Sequence, residues 1–291
     1  MVDMTATTVR PMAGRVCAVT GASSGIGKAT SVALAGLGAT VILVCRNQAR
    51  GEAALADVAA AAGETARPSL ELADLSSMEQ VRALAVRLGK LPAVHVLINN
   101  AGLVVARRQL TPDGFELSLA VNYLAPFLLT NLLLPTLTAS APARVVTVSS
   151  IAHRGAMLDV DDLQCERRYL AMLAYANSKL ADVLFTRELA RRLDATKVTA
   201  NCLHPGTVRT RFGDTGALWL RLGLAVGGGV LRTPASGAKT SVFLASAPEM
   251  AGQTGGYYVN ARRRRPSKKA RDDDLARRLW DASAHLTGLA T

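Results

Sequence analysis

Short apolar runs alternate with helical segments along almost the whole chain, and that alternation constrains the fold more than any other feature. The runs are Val16 to Thr20, Thr40 to Cys45, Pro68 to Leu72, Val94 to Asn99, Arg144 to Ser149, Val198 to Leu203 and a short one around Tyr257 to Asn260. Helical patterns lie between them: from the Gly21 to Gly27 turn to about Leu37, then Glu52 to Ala62, Ser76 to Leu88, Asp113 to Leu137, Leu173 to Leu193 and about Ser236 to Ala245. Strands that are apolar on both sides need cover on both faces, and each helical crossover returns the chain to a parallel neighbour. The expected fold class is α/β: a doubly wound parallel sheet (Rossmann-type), a single domain with helices on both faces. No internal repeat and no dividing linker interrupts it. We expect residues 1–14 to be an N-terminal tail, residues 15–291 to be one domain, and about 211–235 to be a substrate-loop region.

Hydrophobic residues make up 49% of the chain and aromatics only 4%, so Ala, Val and Leu must fill the core. Cys17, Cys45, Cys165 and Cys202 form no C-x-x-C pair, and no His stands at ligand spacing from them, so no metal is expected. Their pattern suits a reducing, cytoplasmic setting. Met1 to Arg15 holds no long apolar stretch, so no signal peptide or anchor is expected. The richest apolar window, Phe115 to Leu137, carries Glu116, Asn122, Pro126 and Asn131 and reads as a buried helix, not a membrane span. The net charge of +12 raises nucleic acid as a partner. However, the basic run Arg262 to Arg265, with Lys268, Lys269 and Arg271, has no interleaved aromatics and is followed at once by Asp272, Asp273 and Asp274. It reads as a solvated surface segment, with no nucleic-acid partner.

The first strand runs into Thr20-Gly21-Ala22-Ser23-Ser24-Gly25-Ile26-Gly27. Glycines there permit a tight turn and close approach of the main chain to a pyrophosphate, and the helix that follows aims its N-terminal N–H groups at that anion. The next strand ends in Cys45-Arg46-Asn47, and Arg46 follows Gly27 by 19 residues with no carboxylate at that corner. A carboxylate there would bond a ribose 2′-hydroxyl, whereas a guanidinium suits a 2′-phosphate. We therefore expect NADP(H), favoured over NAD(H) by about 10- to 100-fold. The alternative is a surface Arg46 paired elsewhere.

Tyr175 and Lys179 stand four apart on one helix face. A lysine ammonium beside a phenol favours the phenolate, which makes Tyr175 a candidate proton donor to a carbonyl or acceptor from an alcohol. Ser150 ends an apolar strand at the carboxyl edge, where open α/β sheets hold ligands. By itself the pair also fits a surface contact on an amphipathic helix. His95, His153, His204 and His285 are scattered and read as structural, with His153 and His204 bordering the pocket.

The chain resembles the short-chain dehydrogenase/reductase family in Thr20-Gly21-x3-Gly25-Ile26-Gly27, Asp74-Leu75, Asn99-Asn100-Ala101-Gly102, Asn122, Ser149-Ser150, Tyr175-x3-Lys179 and Pro205-Gly206-x-Val208-x-Thr210. It resembles the retinol dehydrogenase-like branch in Cys45-Arg46, in Val121-Asn122-Tyr123-Leu124-x2-Phe127-Leu128-Leu129-Thr130 and in Ala276-Arg277-Arg278-Leu279-Trp280. The resemblance implies a catalytic tetrad of Asn122, Ser150, Tyr175 and Lys179, with Asn122 seating a proton-relay water. It also implies a cofactor site built from Gly21, Ser23, Ser24, Gly25, Ile26, Gly27, Arg46, Asn47, Asp74, Leu75, Asn100, Ala101, Gly102, Tyr175, Lys179, Pro205, Gly206, Val208 and Thr210. Asp74 and Leu75 would flank the adenine, and Pro205 to Thr210 would frame the nicotinamide. Ser150 and Tyr175 are 25 apart, wider than in the broad family, and Ser149 is the alternate serine.

The reaction so implied is hydride transfer between NADP(H) and the carbonyl or alcohol of a lipophilic small molecule. Gly216 to Leu231, rich in Leu, Gly, Val and Ala with Trp219 and Arg221, reads as an apolar lid, with a core helix, a homo-oligomer contact or a weak membrane-surface touch as alternatives. A non-catalytic nucleotide-sensing partner protein on the same fold is the competing expectation. A sensor would have no need of Tyr175 with Lys179.

Overall fold

The computed structural model describes residues 10–193, 196–206 and 232–289. In chain order its elements are β1 (Val16–Thr20), α1 (Gly25–Gly36), β2 (Thr40–Cys45), α2 (Gln48–Ala62), β3 (Ser69–Leu72), α3 (Met78–Gly89), β4 (Val96–Asn99) and α4 (Leu117–Ala139). They continue with β5 (Ala143–Val148), α5 (Ala171–Arg192), β6 (Val198–His204), α6 (Pro234–Ser246), β7 (Tyr257–Val259), β8 (Arg262–Arg264) and α7 (Asp273–Thr287). The strands form one sheet in the order β3-β2-β1-β4-β5-β6-β7-β8. All neighbours are parallel except β7 and β8, which run antiparallel. The chain order reverses between β1 and β4, which opens a crevice at the carboxyl ends of those strands.

Side chains of a strand point alternately to its two faces. Cys17, Val19, Val41, Leu43, Val96 and Ile98 enter one core with α1, α2 and α6. Ala18, Ile42, Val44, Leu97 and Val145 enter the other with α3, α4, α5 and α7. Double cover is thus achieved residue by residue. In the second core, Phe127 of α4 and Phe185 of α5 meet Trp280 of α7 with ring centroids 5.0 and 5.8 Å apart. Aromatic pairs of this kind add about 0.5–1.5 kcal/mol each beyond area burial, so the few aromatics are spent on docking α7. Among the described residues, α4 is long and apolar enough to cross a membrane, and 78% of its apolar window is buried inside the fold.

The structure moves several expected boundaries. α2 starts at Gln48 because Asn47 Oδ1 accepts the Arg50 N–H at 2.9 Å and caps it. α4 starts at Leu117, not Asp113. Asp113 turns away to accept the Met78 N–H at 2.8 Å, and Glu116 caps the helix through Ser118 and Leu119. Residues 10–14 pack onto the body, with Met12 buried and its N–H donated to Leu37 O at 2.9 Å. β8 and α7 went unrecognised in the sequence. The Arg262 to Arg265 run is exposed, and most of it forms the antiparallel edge strand β8.

Candidate active site

Thr20, at the end of β1, locks the two strand ends that border the crevice. Its hydroxyl donates to Ile98 O at 3.3 Å and accepts the N–H groups of Asn100 and Ala101 at 2.9 and 3.1 Å. Asn100 returns its side-chain amide to Thr20 O at 2.8 Å. The glycine turn fits into this lock with no room to spare. Gly21 has φ +66°, and a Cβ there would lie 2.9 Å from Ala101 Cα. A Cβ on Gly27 would run into the Gly21 carbonyl and the Asn100 amide. Ser24 is extended at the start of α1 and its side chain makes no cap bond. The N–H groups of the first turn, at Gly25, Ile26 and Gly27, therefore have no side-chain acceptor of that kind, and no acidic residue occupies the turn. A cradle that a single Cβ would fill, below a helix start without a side-chain cap, fits a dinucleotide pyrophosphate.

Among the described residues, the other expected cofactor residues outside α5 follow the carboxyl ends of the parallel strands. Ser23 reaches the buried Cys45 thiol, which burial pushes up to about 11 and so keeps neutral. Arg46 is exposed and has no hydrogen-bond or ion-pair partner among the described residues, which removes the surface-pair alternative within them. Asn47 is engaged as the α2 cap. Asp74 Oδ1 holds the Ser76 N–H and hydroxyl at 2.9 and 2.7 Å, and Leu75 is buried. Ala101 and Gly102 follow β4; a Cβ on Gly102 would sit 3.6 Å from Lys179 Nζ and 3.5 Å from Asn122 Oδ1. Pro205 and Gly206 follow β6. Val208, Thr210 and the Gly216 to Leu231 segment lie outside the described residues.

Tyr175 and Lys179 are both buried on α5, with the ammonium 5.9 Å from the phenol ring centroid. Burial excludes the surface-pair alternative. Tyr175 packs with Val104 and Ala171, and Ala152 lies beside them. Ser150 is half-buried; its hydroxyl accepts the Ala152 N–H at 3.2 Å and so carries the turn that reaches Tyr175. Ser149 is instead buried and donates to Lys179 O at 2.7 Å, which ties β5 to α5. Of the two serines, only Ser150 is accessible. The long insert between Ser150 and Tyr175 folds as short 3-10 turns over Ile151–Gly155 and Val160–Asp162, pinned to α5 where Met157 donates to Asn177 Oδ1 at 2.8 Å.

Asn122 lies in a widened turn of α4, Ala120–Leu124. Pro126 has no N–H to give the Asn122 carbonyl four residues back, a local cause for the widening. The Asn122 side chain is fully engaged: Oδ1 accepts the Leu103 N–H at 2.7 Å, and Nδ2 donates to Leu103 O at 2.9 Å and Ser178 Oγ at 3.0 Å. A water at this residue would therefore sit on its main-chain carbonyl.

Two histidines brace the Ser150 turn. His153 is buried, bonded through Nδ1 to Ser150 O at 2.7 Å, and its Nε2 accepts the Ser267 N–H at 3.2 Å. His204 Nδ1 accepts the Ile151 N–H at 3.2 Å. Burial holds His204 down at about 4, from 6.5. A depressed folded-state value stabilises fully above pH 6.5 and less as pH falls toward 4, because the unfolded chain takes up the proton first. Unfolding free energy should therefore drop by roughly 2 kcal/mol over that window, discounted for partial exposure. Urea melts at stepped pH should show a shallower loss in His204→Asn, whose amide oxygen still accepts.

The fold and the crevice together define a class: a doubly wound α/β protein with a glycine cradle for a dinucleotide and a buried phenol–ammonium pair beside it. Comparison with known proteins places the chain within that class. The short chain dehydrogenase family model matches residues 15–217. Retinol dehydrogenase 14 of Homo sapiens is 42% identical over 96% of this chain and 88% of its own. Retinol dehydrogenase 13 of Homo sapiens is 42% identical over 95% and 85%. A solved protein from Mycobacterium paratuberculosis superposes with TM-score 0.76 at 35% identity, covering 95% of this chain and 94% of that one. A Pseudomonas aeruginosa RhlG/NADP active-site complex superposes with TM-score 0.68 at 26% identity, covering 92% and 99%. The chain belongs to the short chain dehydrogenase family, in its retinol dehydrogenase-like branch, and is a nicotinamide-dependent oxidoreductase.

Sequence reasoning missed Ser178, which seats Asn122, and Asp182, which pairs with Lys179. Their spacing from Tyr175 was the available signal.

Proposed function

We propose that the protein uses NADP(H) to interconvert the carbonyl and alcohol of a lipophilic small molecule, with Tyr175 as the proton-transferring group. The observation that carries this reading is the burial of Tyr175 with Lys179 next to Gly102, on the rim of the glycine cradle. When bound, the nicotinamide supplies the hydride acceptor or donor. The protein's own residues do the rest. The start of α1 holds the pyrophosphate; Asp74 and Leu75 flank the adenine; Asn100, Ala101 and Gly102 line the ribose; Pro205, Gly206, Val208 and Thr210 frame the ring. Ser150 orients the substrate oxygen. Tyr175 gives its hydroxyl proton to that oxygen in reduction and accepts one in oxidation. Lys179 keeps positive charge beside the phenol and bonds the ribose, and the Asn122 carbonyl seats the relay water.

The lipophilic class draws support from a rim of exposed apolar side chains beside the site: Ile151 next to Ser150, Met157 in the insert, and Leu170 and Met172 just before Tyr175. The names of the relatives, retinol dehydrogenases, point the same way. The apolar composition of the Gly216 to Leu231 segment suits the same substrate class. A homo-oligomer is compatible with this reading, as is a weak membrane-surface contact.

Cofactor choice rests on Arg46, just past the end of β2, which has no partner among the described residues. Charge-assisted bonds to a phosphate contribute about 1.5–3 kcal/mol. Arg46→Ala should weaken NADPH binding by about 10- to 100-fold and leave NADH nearly unchanged. Cofactor titration followed by a panel of lipophilic aldehydes, ketones and alcohols tests both parts. Equal loss for the two cofactors would remove the phosphate role, and no turnover across the panel would remove the substrate class.

A further inference from the structure

Lys179 is not alone in its buried site. Its ammonium donates to Val148 O at 2.9 Å and to Asp182 Oδ2 at 2.9 Å, one turn further along α5. Asp182 is wholly buried, and its second oxygen, Oδ1, has no hydrogen-bond partner among the described residues. A buried carboxylate left half-satisfied is costly unless it serves its partner. Among the described residues, the titratable groups facing it from other elements are neutral. Tyr123 of α4 is bonded to Ser283 and held neutral by burial. Cys202 of β6 is pushed up to about 12 by burial, which keeps its thiol protonated. Lys179 is thus the one cation paired with Asp182 among the described residues, and Tyr175 is the next titratable group facing that ammonium.

We propose that Asp182 is a positioning residue for the reaction: its buried carboxylate anchors the Lys179 ammonium and, through it, governs the pH dependence of turnover. This rests on the reading that Tyr175 and Lys179 handle the proton. The carboxylate fixes the ammonium between Val148 O and the phenol, and its negative charge offsets part of the positive charge that Tyr175 experiences. Burial raises the Asp182 carboxyl, and the adjacent Lys179 ammonium opposes that rise and favours the carboxylate.

Asp182→Asn keeps the shape and removes the charge. With NADP+ and a lipophilic alcohol, the rising limb of kcat/KM for oxidation should move to lower pH by about one unit or more. Removing a neighbouring negative charge eases proton loss from the Tyr175–Lys179 couple whichever member carries it. A folded Asp182→Asn protein with an unmoved limb overturns the proposal. Thermal melting at pH 8 gives a second reading that needs no turnover. Asp182→Asn should lower Tm in the wild-type chain but raise it in a Lys179→Met background, where the carboxylate has lost its cation. If the double variant melts no higher than Lys179→Met, the pairing fails, even should Asp182→Asn alone not fold. An active Tyr175→Phe protein would instead sink the assignment of the phenol while leaving the melting comparison readable, so the two failures are separable.

Discussion

Tyr175→Phe should reduce turnover by about 10²- to 10⁴-fold while cofactor affinity changes little, since a positioned acid–base group contributes on that order. The substitution removes one oxygen from a side chain that is 6% exposed and packed against Val104 and Ala171, so the fold should tolerate it. The decisive measurement is the split between kcat and cofactor Kd. A comparable fall in both would mean that the hydroxyl serves cofactor binding and not proton transfer alone. Undiminished turnover would show that another group moves the proton.

Gly27→Ala should abolish dinucleotide binding, raising Kd by at least about 100-fold, and should lower stability by about 1–3 kcal/mol. The added methyl meets the Gly21 carbonyl and the Asn100 amide, the backbone and clamp that join β1 to β4. Neither can retreat without opening the crevice. Gly36→Ala provides the control: it lies at the end of the same helix, and a Cβ there meets nothing within 4 Å. That change should be neutral or stabilising by up to about 1 kcal/mol. Calorimetry with NADPH on both variants separates a local clash from a general intolerance of side chains in α1.

The sheet was legible because its parallel strands other than β3 are largely apolar on both sides and flanked by helical patterning, so β1, β2 and β4 to β6 fall within a residue or two of expectation. The shifted starts of α2 and α4 share a cause: a polar side chain acting on the backbone overrode periodicity. Asn47 and Glu116 set helix starts by capping, which an apolar count does not see. α7 was visible in principle, since Asp272 caps it and Ala276, Leu279, Trp280 and Ser283 recur at helical spacing, but the preceding charge run masked it. At the site, the sequence located Tyr175, Lys179 and Ser150. It kept Ser149 as the alternate to Ser150, because the distinction depends on Ser149 turning inward to Lys179 O. Nor could it show the Asn122 amide fully engaged with Leu103 and Ser178.

The last strand of the sheet has a consequence for how copies of this chain meet. β8 ends the sheet and carries three exposed arginines in succession. A second molecule adding edge to edge would bring two such cationic ribbons within about 5 Å, well inside the Debye length at physiological salt. Like charges at that range repel, which disfavours extension of the sheet from that edge.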